Sequence, residues 1–299
     1  MKNESRLSGQ TAIFLCAVLW STAGLFITLI PWEPLVIAGG RSFLAVVFLL
    51  VYRRITVKKE IIEGQKPLSL FVLFGGGINY ALTMILFVIA NKMTSPANAI
   101  LLQYAAPIWA ALLGWLVLKE KPQWQQWVSL AMVGGGMFVF FRNSLGGGAL
   151  TGDLLAFISG ITFAANAVFM RKAKNHSPVD IMICANIMTA LVSIPFYVMY
   201  PPVLSAGSLF SILFLGFFQI GAAVALFSYG IKKVTSVQAM LIATIEPVLS
   251  PVWVLLGTWM LLKAAVIPST STIIGGSIIV IAVLFSSLTS RQGMVKRKS

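Results

Sequence analysis

The chain has 299 residues, of which 58% are hydrophobic and 10% charged, with a mean hydropathy of +0.92. A soluble domain carries about 25% charged residues, so this composition cannot cover a water-facing surface. The net charge of +14 does not indicate nucleic acid, because the Lys and Arg residues cluster between apolar runs instead of forming one basic face.

Segments of about 20 apolar residues cross a hydrocarbon core of about 30 Å. The chain offers ten such segments, at about 9–30, 34–52, 69–91, 96–118, 123–141, 151–170, 178–198, 208–231, 236–262 and 269–288. The polar start Met1 to Ser8 leads into an apolar run that reaches Ile30. That run exceeds the core of about 7–15 residues in a signal peptide, so it reads as a retained first helix. Connectors are short and carry turn chemistry: Pro31-Trp32-Glu33-Pro34, Gly146-Gly147-Gly148 and Pro201-Pro202. The expected fold class is an all-α integral membrane protein of ten transmembrane helices.

Basic residues favour the cytoplasmic side of a membrane. With the N-terminus inside, 18 of the 22 Lys and Arg residues fall on inner segments. Lys92, Arg142 and Lys263 fall on outer segments, and Arg41 lies within the membrane. This asymmetry places both termini in the cytoplasm, and the charge alternation requires an even number of spans. Short loops and an inner positive bias fit a bacterial plasma (inner) membrane. Cys16 and Cys184 lie in apolar runs and read as small buried hydrophobes. The lone His176 lies in a basic connector, and no Cys/His cluster suggests a metal. No cofactor and no metal site is expected.

The two halves echo each other. Gly9 to Phe26 aligns with Gly152 to Phe169, matching Phe14 with Phe157 and Trp20 with Phe163. Thr94-Ser95 resembles Thr235-Ser236, Ala99 to Pro107 resembles Ala239 to Pro247, and Gly134-Gly135 resembles Gly275-Gly276. The expected units are 1–146 and 147–299, each of five spans. Five is odd, so the second unit enters the membrane inverted, an arrangement of secondary transporters that places a solute site near the midplane.

Arg41 and Glu246 are the charges deepest within the apolar segments. A charge at that depth costs roughly 2.5–3.5 kcal/mol on insertion scales and survives when paired, turned to a cavity or functional. Glu246 precedes Pro247, whose missing N–H frees a carbonyl one turn back. Glu246 reads as a proton-coupling or solute-sensing carboxylate, or as a structural acid. Arg41 is placed to pair with Glu246, to hold a carboxylate solute, or to snorkel outward. Amides in lipid are left unsatisfied, so Asn79, Gln103, Gln219 and Asn166 should face the interior, where they either join helices or line a cavity. Trp20 and Tyr104 are suited to stacking on a flat solute or to core packing. Pro107, Pro247 and Pro251 break corresponding fourth and ninth helices and are the hinge candidates. The Gly75–Gly77 and Gly134–Gly136 runs suit close helix approach or bending, and no phosphate-binding Lys-Ser/Thr follows them. Trp32, Trp115, Trp124, Trp127 and Trp259 fit interfacial belts.

Four stretches carry a family resemblance: AVLWSTAGL at Ala17 to Leu25, RSFLAVVFLL at Arg41 to Leu50, PIWAALLGWLVLKEKP at Pro107 to Pro122 and EPVLSPVW at Glu246 to Trp253. In this order they resemble the EamA-type branch of the drug/metabolite transporter superfamily, over nearly the whole chain. The resemblance implies ten helices in two inverted repeats, inner termini, and carriage of small metabolites, often outward, through a central cavity. Two departures stand out. Lys119 occupies a position where the family often has Gly, although Glu120 is kept, and the Gly-Glu pair after the ninth span is replaced by a stretched segment, Leu262 to Pro268.

The function expected is secondary active transport of a small metabolite or amino acid by alternating access, with Glu246 as the candidate proton site. No nucleotide-binding motif supports direct use of ATP. A channel or facilitator is the alternative. An intramembrane enzyme is disfavoured, because one deep carboxylate and one loop His do not form a catalytic constellation. The partners implied are the solute, the bilayer and protons; the identity of the solute and the oligomeric state are not legible.

Overall fold

The computed structural model describes residues 2–57, 68–94, 96–143, 150–262 and 269–295. The glycine run 146–148, the altered segment 263–268, Ser95, and Lys58, Lys59, Lys66, Lys263 and residues 296–298 lie outside the described residues, as does the boundary expected at 146/147.

All regular structure among the described residues is helical. In chain order the helices are α1 Lys2–Ser21, α2 Ala23–Thr28, α3 Pro34–Val57, α4 Leu70–Met93, α5 Pro96–Gln103, α6 Ala106–Leu118, α7 Trp124–Phe141, α8 Leu150–Lys172, α9 Pro178–Met199 and α10 Ala206–Phe214. A π-helical segment Leu215–Ala222 follows, then α11 Ala223–Ile231, α12 Ser236–Ala243, α13 Ile245–Leu262 and α14 Thr270–Val295. Lipid offers the backbone no hydrogen bonds, which is why such an apolar chain is helical almost throughout.

Nine stretches among the described residues are long and apolar enough to cross a membrane. They match the expected segments to within a few residues, except for the fifth, 123–141. That segment is helical as α7 but is not among the nine, because its first turn carries Gln125 and Gln126. Gln126 folds back so that its Oε1 accepts from the Gln123 N–H at 2.9 Å, capping the helix start.

Two continuous apolar runs are broken near the middle. The run 96–118 divides into α5 and α6 around Tyr104 and Ala105, and the run 236–262 divides into α12 and α13 at Thr244. Pro107 and Pro247 each lie three residues beyond Tyr104 and Thr244. Neither has an N–H, so the carbonyls of Gln103 and Ala243 lose their helical partner. The chain bridges both gaps with tighter bonds, Ala105 N to Leu102 O at 3.2 Å and Thr244 N to Leu241 O at 3.3 Å. The first run, expected as one helix over 9–30, is also interrupted, at Thr22.

Packing exchanges helices between the halves. α8 lies along α4, while α1 lies along α11 and α13; α3 packs on α9, α6 on α12 and α7 on α14. Small residues make the α4–α8–α9 contact close. A Cβ on Gly75 would lie 2.7 Å from the Phe169 ring, and one on Gly77 would lie 3.0 Å from Cys184 Sγ. Gly136 likewise abuts Ile279 and the Gly275 carbonyl, whereas a Cβ on Gly134 or Gly135 would meet open space. The close-approach role expected of the second glycine run therefore falls to Gly136.

Hydrogen bonds define two ends of the bundle. At the proximal end, Arg171 meets Glu120 and the carbonyls of Ile231 and Lys232, Arg53 pairs with Asp180, and Lys233 reaches Ser8. At the distal end, Trp32 Nε1 donates to Val203 O at 2.8 Å, and Asp153 accepts from Thr94 Oγ1 at 2.6 Å and from Asn98 Nδ2 at 3.2 Å. Between the ends the outward surface is apolar, with Phe43, Phe71, Leu116, Phe138 and Leu191 all exposed. Gln103, Asn166, Asn186, Gln219 and Gln238 are buried. Apolar outside and polar inside is the pattern of a protein dissolved in lipid.

Candidate functional site

A cavity of about 520 Å³ lies at the centre of the bundle. It runs from the two helix breaks toward the distal end, where Ile27, Pro34, Phe87 and Val88 form its sides. α1 contributes Trp20, α3 Arg41, α4 Tyr80, Thr83 and Met84, and α8 Phe163. The π-helical segment contributes Gln219, and α13 contributes Glu246, Pro247 and Ser250. Gln103 is the last residue of α5, and Tyr104 comes from the break that follows it.

The cavity's two charged side chains are not ion-paired. The Tyr104 hydroxyl donates to Glu246 Oε2 at 2.6 Å. Arg41 Nη2 lies 3.5 Å from Met84 Sδ, a weak acceptor, and Arg41 Nε has no hydrogen-bond partner. Gln219 donates a long bond from Nε2 to the Trp20 carbonyl at 3.5 Å, and its Oε1 has no partner. Buried polar atoms are normally bonded, so an unpaired donor and an unpaired acceptor among the residues lining one cavity mark this wall as an exception. The aromatic wall is formed by Trp20 with Phe163, ring centroids 5.9 Å apart, and by Tyr104. Trp20 and Phe163 are the residues aligned by the internal repeat expected from the sequence, and here their rings meet.

The structure thus brings Glu246, Arg41, Gln103, Tyr104, Trp20, Gln219 and Pro247 to one cavity. It places the other candidates elsewhere. Asn79 Nδ2 donates to Gly75 O at 2.7 Å, one turn back on its own helix. Asn166 Nδ2 donates to Gly76 O at 3.0 Å and so joins α8 to α4. Pro107 is buried at the start of α6. Pro251 lies in a separate crevice of about 440 Å³ beside Phe140 and Gly276. Thr83, Met84, Phe163 and Ser250 also line the wall, beyond the site residues expected from the sequence. Phe163 was signalled by its match to Trp20; Thr83, Met84 and Ser250 carried no signal beyond membership of an apolar run.

Two stretches of the chain, 7–142 and 150–288, match the model of the EamA-like transporter family. The chain belongs to this family, the EamA-type branch of the drug/metabolite transporters. An uncharacterized transporter of Archaeoglobus fulgidus is 26% identical over 241 residues, covering 80% of this chain and 83% of that protein. A probable amino-acid metabolite efflux pump of Salmonella typhimurium is 29% identical over 195 residues, covering 64% of this chain and 62% of that protein. The uncharacterized transporter YwfM of Bacillus subtilis is 24% identical over 243 residues, covering 79% and 80% of the two chains. A solved crystal structure superposes with a TM-score of 0.74 over 96% of this chain and 99% of its own, at 20% identity, a likeness of fold. The protein is a multi-pass membrane transporter.

Proposed function

We propose that this transporter is a secondary active exporter of small metabolites or amino acids, working by alternating access across a bacterial plasma membrane and coupled to protons through Glu246. The observation that carries the reading is the cavity itself. One guanidinium and one carboxylate face the same space without pairing, beside an aromatic wall. A zwitterion offers a carboxylate to Arg41 and an ammonium to Glu246, and its side chain rests against Trp20 and Phe163. The name of the Salmonella typhimurium relative is compatible with this solute class.

Alternating access requires two arrangements of one bundle. The proposal assigns them to units 1–146 and 147–299, inverted five-helix repeats with both termini in the cytoplasm. Exchanged packing of α8 on α4 and of α1 on α11 supports the repeat, and α7 packed along α14 supplies the tenth helix. The weight of Lys and Arg at the proximal end supports that end as cytoplasmic. The cavity then faces outward, and the breaks preceding Pro107 and Pro247 are the places where the helices bend.

Flux of labelled amino acids in proteoliposomes, with and without a pH gradient, tests the reading for the wild type and Glu246→Gln. Gradient-driven flux in the wild type, with exchange that ignores pH in the variant, is expected. An equal response in both variants removes Glu246 from coupling. Saturation-free flux without competition between solutes indicates a channel.

A further inference from the structure

Tyr104 and Glu246 belong to different broken helices. Tyr104 occupies the turn between α5 and α6, and Glu246 is the second residue of α13, just past the turn at Thr244. Their hydrogen bond therefore ties one break directly to the other, inside the cavity. The bond uses one carboxylate oxygen, Oε2, and no described contact engages Oε1.

Opposite charges that share a low-dielectric cavity attract strongly and close on each other unless something holds them apart. Arg41 and Glu246 do not close: the guanidinium turns to Met84, and its Nε bonds to nothing. The group that holds the carboxylate is the Tyr104 hydroxyl. Tyr104 is itself held firmly. The residue is 7% exposed, and its N–H donates to Ile100 O at 2.9 Å. Gly160 lets α8 press on this turn, since a Cβ there would lie 2.7 Å from the Gln103 carbonyl. A phenol suits the task, because it donates a hydrogen bond to a carboxylate without neutralising it.

We propose that Tyr104 is a positioning residue: it holds the Glu246 carboxylate at the junction of the two helix breaks, away from Arg41, so that both charges stay open to the solute. This gives Tyr104 a role distinct from stacking on a solute. It rests on the reading of Glu246 as the working carboxylate of the cavity. Besides Tyr104, the ionisable groups within electrostatic reach of Glu246 are Arg41 on α3, Tyr80 on α4 and Cys16 on α1.

Infrared titration of the purified protein in lipid tests the proposal without any solute. The Glu246 carboxyl band is identified by its loss in Glu246→Gln. Tyr104→Phe removes one oxygen and leaves the ring to fill its place. The midpoint of the band is expected to move by about one pH unit or more in Tyr104→Phe, a tenfold change in the equilibrium. Arg41→Gln is expected to move it further in the Tyr104→Phe background than in the wild type, because only there have acid and guanidinium closed. An unchanged midpoint in Tyr104→Phe, or an equal effect of Arg41→Gln in both backgrounds, overturns the proposal. A Glu246 band that never titrates overturns it together with proton coupling. Should the midpoint move while Glu246→Gln still transports along the gradient like the wild type, positioning stands and proton coupling through Glu246 falls.

Discussion

Arg171 Nε lies 2.8 Å from Glu120 Oε1, and this ion pair gathers four helix ends. The same guanidinium donates from Nη1 to Ile231 O at 3.0 Å and Lys232 O at 2.6 Å, closing the C-terminus of α11. Glu120 in turn accepts from the Ser236 N–H at 3.4 Å, at the start of α12. The pair is 12% and 19% exposed, so removing one partner leaves the other poorly solvated. Arg171→Ala is expected to lower stability by about 3 kcal/mol, the low end for a broken buried pair because some water reaches both side chains. Arg171→Lys should lose less, since an ammonium keeps the charge but not the fork. Thermal unfolding in detergent checks both, and equal melting of Arg171→Ala and the wild type would sink the assignment.

Lys119, the residue before that acid, closes α6 with φ 58. This left-handed conformation favours glycine and costs other residues roughly 1 kcal/mol. The departure from the family noted at this position is therefore a departure at a strained site. Lys119→Gly is expected to raise the melting temperature by a few degrees, and Lys119→Val to lower it. Melting curves that rank these variants the other way would show that the Lys side chain contributes more than its backbone costs.

Glycines of the two runs, on α4 and on α7, should answer differently to an added side chain. A Cβ on Gly76 would meet Ile181 and lie 3.1 Å from the Phe169 Cβ, so Gly76→Val should overpack the contact of α4 with α8 and α9 by about 1–3 kcal/mol or prevent folding. Gly134 faces open space, so Gly134→Ala should stabilise its helix by up to about 1 kcal/mol. The monodisperse fraction on size-exclusion chromatography after graded heating separates the two outcomes.

Gln219 and Asn166 are both buried amides, yet they should separate in a transport assay. Gln219→Leu removes an unpaired acceptor from the cavity wall and is expected to raise KM several-fold while the fold survives. Asn166→Leu removes the bond to Gly76 O and should cost roughly 0.6–1.7 kcal/mol of stability with KM unchanged. KM values measured beside melting temperatures decide this, and a KM effect at Asn166 would move that residue into the site.

The same contrast shows where sequence reading succeeds and stops. Arg41 and Glu246 were legible because charge in lipid is too costly to be incidental. Trp20 and Phe163 were legible as a repeat pair, and the helix breaks were legible from Pro107 and Pro247. Depth along a helix, however, says nothing about azimuth. Asn79 lies as deep in its span as a wall residue, but its amide bonds one turn back, while Thr83, one turn further on, lines the cavity. The π-helical turn that carries Gln219 left no mark in the sequence, because it changes the backbone register without changing residue types. Helix α7 coincides with the expected fifth segment, but its polar opening turn keeps it out of the nine stretches, among the described residues, that are long and apolar enough to cross a membrane.

Exchanged packing has a consequence for synthesis. As the chain leaves the ribosome, α4 enters the membrane with its Gly75–Gly77 groove facing nothing, because the residues that fill it, Phe169, Ile181 and Cys184, are still unmade. Helices α1–α7 are therefore made before the later helices they pack on. The α1 face that will meet α11 is equally bare until the chain has been made as far as Ile231. A chain cut between residues 143 and 150 is therefore expected to assemble only when both pieces share one membrane.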